Sequence, residues 1–253
     1  MSLMRLDKYL AQMGLGTRSE VKKLLKGGSV TVNGLAEKSP DRKLDPGQDL
    51  VCAGGRTLSF RKFVGLMLNK PSGCITATDD NRQRTVMDYI EHDRKRELFP
   101  VGRLDIDTEG LLLLVNDGEL AHRLLSPKHH VDKTYFVRTE GRVTQEDARA
   151  FADGVEIGEK RPTLPAKLEI IKSDECSESL LTICEGKFHQ VKRMFEVRGK
   201  HVCYLKRISM GGITLDESLA PGQWRELTEA EERLLYHAST EELHVKTKES
   251  GHF

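Results

Sequence analysis

Among 253 residues no run approaches eighteen consecutive apolar residues, so no transmembrane helix is expected. The opening Met1-Ser2-Leu3-Met4-Arg5-Leu6-Asp7 lacks the apolar core of a signal peptide, and a cytoplasmic location is expected. Five cysteines (Cys52, Cys74, Cys176, Cys184 and Cys203) are odd in number, scattered, and form no Cys-x-x-Cys pair. They fit free thiols in a reducing compartment better than disulfides or zinc ligands. Also missing are the phosphate loop Gly-x-x-x-x-Gly-Lys-Ser/Thr, the dinucleotide fingerprint Gly-x-Gly-x-x-Gly, and the nucleophile elbow Gly-x-Ser-x-Gly. His129-His130 could suggest a metal, but adjacent residues on an extended chain point opposite ways, and no Cys or carboxylate set lies at ligand spacing. Phosphate contact or a structural role suits these histidines better, and no metal is expected. There is no internal repeat or low-complexity tract.

One polar stretch stands out: Val101-Gly102-Arg103-Leu104-Asp105-Ile106-Asp107-Thr108-Glu109-Gly110, followed at once by Leu111-Leu112-Leu113-Leu114-Val115. The apolar run has the length of a strand buried on both faces. A charged loop pinned to such a strand is held still by its scaffold and suits chemistry. Taken alone, an aspartate after a glycine turn is more ordinarily a turn or cap residue.

The formal net charge of +1 hides an asymmetry. Residues 1–62 hold twelve Lys and Arg against six Asp and Glu; the remainder holds 28 against 33. A basic head on a mildly acidic body suits an anionic polymer held at one end, although a solvated charged surface has the same composition. Within this head, Leu6, Leu10 and Met13 fall at helical spacing and Gly14 and Gly16 end the run. Thr17-Arg18-Ser19-Glu20 matches a capping box. The helix it opens turns Val21, Leu24 and Leu25 inward. Arg18, Lys22 and Lys26 make an outward stripe with Lys23 beside it, and Gly27-Gly28 closes the helix. Val30-Thr31-Val32 alternates like a strand and runs into the hairpin signal Asn33-Gly34. A stripe of Arg and Lys matches phosphates.

Arg5-Leu6-Asp7-Lys8-Tyr9-Leu10-Ala11, Thr17-Arg18-Ser19-Glu20-Val21 and Gly28-Ser29-Val30-Thr31-Val32-Asn33-Gly34 together resemble the S4 RNA-binding domain over roughly the first fifty residues. The resemblance implies structured-RNA binding through Arg5, Arg18, Lys22, Lys23 and Lys26.

Residues 53–62, glycine-rich and patternless, read as a linker. Beyond them the pattern predicts strands over 63–68, 111–115, 135–137, 166–171, 179–184 and 202–208, and a short strand at 213–215. Helices are predicted starting at 85 and over 119–125, 144–151, 185–195 and 227–235. Thr228 caps the last of these, and the chain from His237 reads as a polar, disordered tail. A carboxylate-centred site without a cofactor is what these residues allow. A buried Asp105 needs partners to remain ionised. A cation from Lys192-Arg193 could supply one, and Tyr135 offers a flat face for a base.

Gly102-Arg103-Leu104-Asp105 with Thr108, Leu68-Asn69-Lys70-Pro71-Ser72-Gly73, Lys133-Thr134-Tyr135 and Glu185-Gly186-Lys187-Phe188-His189-Gln190-Val191-Lys192-Arg193-Met194-Phe195 resemble, in order and spacing, the RsuA family of pseudouridine synthases. The resemblance spans roughly residues 5–235. It implies an α+β chain: a small S4-type αβ domain (1–60), a mixed, largely antiparallel-sheet catalytic domain (61–237) and a polar tail (238–253). It implies Asp105 as the catalytic carboxylate, Tyr135 against the target base, and Lys192 as basic partner with Arg193 as rival and RNA contact. Leu205 would floor the pocket, Arg103 would fill the space left by a flipped nucleotide, and Asp107 and Thr108 would brace the loop. Ser126-Pro127-Lys128-His129-His130 with Lys133-Thr134-Tyr135 resembles the branch acting on 16S rRNA. The implied reaction isomerises uridine without cofactor, metal or ATP, in a monomer whose partner is ribosomal RNA or a small-subunit assembly intermediate, with no DNA or membrane. Two alternatives remain at this point: a synthase for 23S rRNA, and a non-catalytic S4-type assembly factor.

Overall fold

The computed structural model describes residues 3–58 and 63–239. They divide into two compact units, one ending at Phe63 and including Glu91–Glu97, the other formed by Val64–Ile90 and the chain from Leu98.

In the first unit β1 (Met4–Arg5) leads into α1 (Leu6–Gln12), whose Leu6, Tyr9 and Leu10 are fully buried at helical spacing. The predicted capping box opens α2 (Arg18–Lys26): the Thr17 amide donates to Glu20 Oε2 at 2.7 Å, and the Glu20 amide to Thr17 Oγ1 at 3.4 Å. Val21 and Leu25 are buried, whereas Arg18, Lys22, Lys23 and Lys26 stand in solvent. Next come β2 (Val30–Val32), β3 (Leu35–Ala36), β4 (Lys43–Leu44), β5 (Val51–Ala53) and β6 (Arg56–Leu58). The sheet order is β3-β2-β5-β6, and β4 pairs with β1.

Asn33 and Gly34 both have positive φ, as a two-residue hairpin turn requires. So do Gly54 and Gly55, which corrects the linker reading. This stretch is the β5–β6 hairpin, with Ala53 opposite Arg56, and its end is tied to α1 by the Tyr9 hydroxyl donating to Leu58 O at 3.0 Å. Residues 59–62 lie outside the described residues. Arg5 also has a partner within its own unit. Its Nε and Nη2 grip the Asp7 carboxylate at 3.1 and 3.0 Å, and that bond holds buried Asp7 below the usual carboxylate range.

The second unit is built on a nine-stranded sheet. Its strands are β7 (Gly65–Lys70), β8 (Phe99–Pro100), β9 (Glu109–Val115), β10 (Lys133–Glu140), β11 (Lys167–Lys172), β12 (Cys176–Ile183), β13 (His201–Met210), β14 (Ile213–Thr214) and β15 (Trp224–Glu226). The path is β11-β12-β10-β13-β9-β7-β15, with β8 on β9 and β14 on β13. Every pairing is antiparallel except β13 with β9. At that parallel seam Gly110 is required: a Cβ there would meet the Arg207 carbonyl oxygen, and its φ is +98°.

Residues 111–115 are fully buried, as the apolar run predicts. Leu112 and Leu114 join the main core with Leu66, Leu68, Val137 and Phe195, while Leu111, Leu113 and Val115 point to the opposite face. At about 2 kcal/mol per buried side chain, the run contributes on the order of 10 kcal/mol toward seating β9. The helices are α3 (Gly118–Leu125), α4 (Gln145–Asp153), α5 (Gln190–Glu196) and α6 (Glu229–Ala238). The helix predicted from 85 is only a 3-10 turn, Val86–Tyr89, which inserts Val86 and Met87 into the core. The expected tail begins later than His237, because α6 continues to Ala238; residues 240–253 lie outside the described residues. Among the described residues no helix is long and apolar enough to cross a membrane.

Candidate active site

The stretch 101–108 connects β8 to β9 and is fastened from several sides. The Val101 amide donates to Leu113 O at 2.8 Å, the Gly73 amide to Ile106 O at 2.7 Å, and the Thr108 amide to Asp105 O at 3.1 Å. The Thr76 hydroxyl donates to Leu104 O at 2.8 Å and accepts from the Leu104 amide at 3.1 Å. Beneath the loop lies Lys70, a fully buried lysine at the end of β7. Its Nζ reaches Thr108 O at 2.9 Å, Pro71 O at 3.0 Å, Asp105 O at 3.1 Å and Ile106 O at 3.4 Å. Burial pulls its pKa down, yet four carbonyl oxygens converge on the ammonium, and among the described residues no side-chain carboxylate bonds to it. A cation that can donate three hydrogen bonds is thereby made the internal fastener of the loop.

So held, Asp105 presents its carboxylate to a cavity of about 100 Å³ lined by Arg103, Tyr135, Val191, Lys192 and Leu205 among others. Tyr135 and Leu205 are nearly buried. They reach the cavity from neighbouring strands, β10 and β13, which pair Tyr135 with Arg207 and Val137 with Leu205. The Tyr135 hydroxyl has no protein hydrogen bond among the described residues. Lys192, on α5, lies 3.4 Å from Asp105 Oδ2. Its closest contacts are with Asp107, at 2.6 and 2.9 Å. Burial would raise the Asp107 pKa, but the Lys192 bond and charge outweigh it and hold Asp107 low. Asp107, expected to brace the loop, is instead a second, exposed anion sharing one cation with Asp105. Thr108 braces through its backbone carbonyl on Lys70, while its buried hydroxyl has no partner among the described residues.

Arg193 is corrected as the rival partner of Asp105. One residue further round α5, its guanidinium turns away from Asp105 to Glu159 Oε1 at 2.8 Å, Phe188 O at 3.0 Å and the Ile157 carbonyl. Those bonds engage its guanidinium with Glu159 and two backbone carbonyls, not with Asp105. Arg103 is exposed at the cavity rim. Arg18, Lys22, Lys23 and Lys26 belong to the first unit and take no part in this cavity.

Sequence reasoning gave no role to three features of the site. Lys70 lies in the stretch Leu68-Asn69-Lys70-Pro71-Ser72-Gly73, where a lysine ending an apolar strand is the available signal. His189 lies with Nε2 3.6 Å from Asp105 Oδ1, its backbone at φ +48°, and its ring stacked 3.8 Å from Phe188. A left-handed non-glycine residue costs on the order of 1 kcal/mol or more and persists where surroundings enforce it. Glu185 and Gln190 lock the turn before α5: the Leu164 amide and Gln190 Nε2 donate to Glu185 Oε1 at 2.8 and 3.0 Å, and the Lys187 amide donates to Gln190 Oε1 at 2.8 Å. Among the described residues no three His, Cys, Asp or Glu side chains gather as a metal set. A carboxylate beside a tyrosine face, over an apolar floor and steadied by a lysine, can act on a flat heterocycle as nucleophile or base.

A mixed sheet carrying a loop-borne carboxylate, preceded by a small basic αβ unit, is the organisation of an RNA-modifying enzyme. Family models match twice: RNA pseudouridylate synthase over residues 65–197 and the S4 domain over residues 4–50. The chain belongs to the RNA pseudouridine synthase family, a family of isomerases, and carries an S4 domain ahead of its synthase domain. It is 50% identical over 234 residues, 92% of this chain and 98% of the other, to a Bacillus subtilis (strain 168) protein named Uncharacterized RNA pseudouridine synthase YtzG. It is 43% identical over 229 residues, 90% and 98% of the two chains, to Ribosomal small subunit pseudouridine synthase A of Escherichia coli (strain K12). A crystal structure of a pseudouridylate synthase superposes with a TM-score of 0.65 at 40% identity, covering 92% of this chain and 99% of that one.

Proposed function

We propose that the protein isomerises a specific uridine of 16S ribosomal RNA to pseudouridine, with Asp105 as the catalytic carboxylate. The observation that carries the reading is Asp105 at the mouth of a cavity shared with Tyr135, Leu205 and Lys192. The small-subunit choice is supported by the 43% identity to a small-subunit rRNA synthase over nearly its whole length, and by the Ser126-Pro127-Lys128-His129-His130 segment ahead of Lys133.

In the reaction the N1–C1′ bond of uridine breaks, the uracil rotates, and a C5–C1′ bond forms. The C5 proton leaves and N1 ends protonated. Product and substrate are isomers, so no net oxidant or reductant enters. Asp105 acts on the sugar or the base, and Lys192, already shared with Asp107, stands 3.4 Å from its carboxylate as a positive neighbour. Tyr135 packs on the uracil and Leu205 supports it from below. Reaching the base requires flipping it from its stack, at a cost of a few kcal/mol. Phosphate contacts by the α2 stripe and insertion by Arg103 offset that cost.

The decisive test is to map pseudouridine in both ribosomal RNAs from cells with and without the protein. One uridine of 16S rRNA is expected to lose its modification. Loss in 23S rRNA would instead establish the large-subunit alternative. Loss in neither, with full biological effect retained by Asp105→Asn, would point to an assembly factor. The S4 unit has its own measurement. Neutralising Arg18, Lys22 and Lys26 together should weaken RNA binding and lower the slope of log affinity against log salt by about two to three. An unchanged slope would refute the clamp.

A further inference from the structure

Next to the catalytic cavity, and sharing Asp105 and Tyr135 with it, runs a larger groove of about 720 Å³. Two side chains in its lining are cations that the reaction scheme leaves unused, Lys133 on β10 and Arg207 on β13. Both are more than nine-tenths buried. They lie on the same sheet face as Tyr135, because Lys133 is two residues before it and Arg207 pairs with it across the strands. Neither forms an ion pair among the described residues. Lys133 Nζ donates to Val131 O at 2.7 Å, and Arg207 Nε to Leu111 O at 2.8 Å. Arg207 Nη2 is buried with no acceptor among the described residues.

We propose that this groove is a phosphodiester-binding subsite, in which Lys133 and Arg207 hold the RNA backbone phosphate beside the target uridine. The inference rests on the proposed RNA-isomerising function and adds to it a second anchoring point for the substrate strand. Two like charges buried together are costly unless an anion joins them. The groups that face Lys133 show how incomplete its compensation is. Arg207 opposes it from β13, and Asp132, Cys184 and Glu185 oppose that repulsion from the ends of β10 and β12. Burial first, and Arg207 second, bring Lys133 down to about 8. The groove wall adds Arg103, Lys187 and His189, and among the described residues Asp105 is the one carboxylate lining it. A phosphodiester supplies the missing charge, and its oxygens can accept from both an ammonium and a guanidinium. The same contact fixes the flipped nucleotide by its backbone, leaving the base free to rotate.

The test is a titration of the Lys133 side chain by carbon-detected NMR in the full chain, with its resonance assigned by its loss in Lys133→Arg. The probes are a uridine pentanucleotide and the same pentanucleotide with neutral methylphosphonate links. Lys133 is expected to titrate near 8 alone, and to bind its proton at least tenfold more tightly with the phosphodiester strand but not with the neutral one. Lys133→Met should weaken binding of the charged strand by about tenfold, leave the neutral strand unaffected, and be rescued by Lys133→Arg. The subsite is overturned if the charged strand does not bind, if neither strand moves the titration, or if both move it equally. The wild-type titration decides the matter even if Lys133→Met does not fold. Failure of the uridine-isomerising reading would appear separately, as an unchanged pseudouridine map.

Discussion

Asp105→Asn is expected to abolish pseudouridine formation, lowering the single-turnover rate by at least ~10³-fold, while RNA affinity stays within about twofold of wild type. The two side chains have the same shape, so the cavity keeps its walls. The amide has no negative charge, cannot serve as a general base at neutral pH, and is a poor nucleophile. What makes the variant informative is Asp107. In the wild type Lys192 is already 2.6 Å from Asp107 and 3.4 Å from Asp105, so removing the Asp105 charge does not leave the lysine without a counterion. The loop is held by backbone bonds to Lys70, Thr76 and Gly73, none of which uses the Asp105 carboxylate. Binding should be unchanged or slightly tighter, since one negative charge beside a polyanion is gone. Quench-flow turnover and a filter-binding isotherm on the same RNA separate the two quantities. A turnover rate near wild type would remove Asp105 from the chemistry.

Lys70→Met is expected to produce a second large loss by a different route. Methionine fills much of the buried volume but donates nothing, and the carbonyls of Pro71, Asp105, Ile106 and Thr108 lose their common donor. Charge-assisted hydrogen bonds contribute about 1.5–3 kcal/mol, and a buried acceptor left without a donor costs about 1–3 kcal/mol. A destabilisation of roughly 3 kcal/mol in urea unfolding is therefore expected. Where the variant is still folded, turnover should fall by about 10²-fold, because a displacement of the order of 1 Å in a reacting group is enough for that. Lys70 bonds to the loop through backbone carbonyls, so it is a positioning residue. Its signature is a reduced rate together with greater amide exchange across residues 104–108 and an unchanged pH profile. Wild-type turnover with wild-type exchange would show that the loop stands without it.

These two variants act on opposite sides of the same loop, and they separate what could be read along the chain from what could not. The sequence alone determined the longer elements and their order, though not the short strands β8 and β15. Residues 111–115 are apolar throughout, and a strand with both faces covered is where such a run can be buried. Thr17 and Glu20 three residues apart, and Asn33 followed by Gly34, are local signals whose hydrogen bonds or φ values close within a few residues. The motif around Asp105 was legible for the same reason, as a glycine-bracketed polar turn entering a buried strand. Where the local signal was weak, the expectation slipped. Gly54-Gly55 serves a hairpin as readily as a linker, and the pattern from Thr85 was too short for more than a 3-10 turn.

Only the tertiary structure decided which cation meets the carboxylates. Lys192 and Arg193 are neighbours, but successive residues on a helix point about 100° apart. One therefore faces the loop, and the other faces Glu159 and the Ile157 carbonyl. Nor does any local pattern tell that Lys70 lies under the loop 35 residues away in sequence, that Asp107 shares the lysine of Asp105, or that Lys133 and Arg207 are buried in the wall of one groove. Those facts depend on strand register, the close approach at Gly110, and the docking of α5 against the sheet. They are set by contacts between segments far apart in the chain, which periodicity and capping signals do not encode.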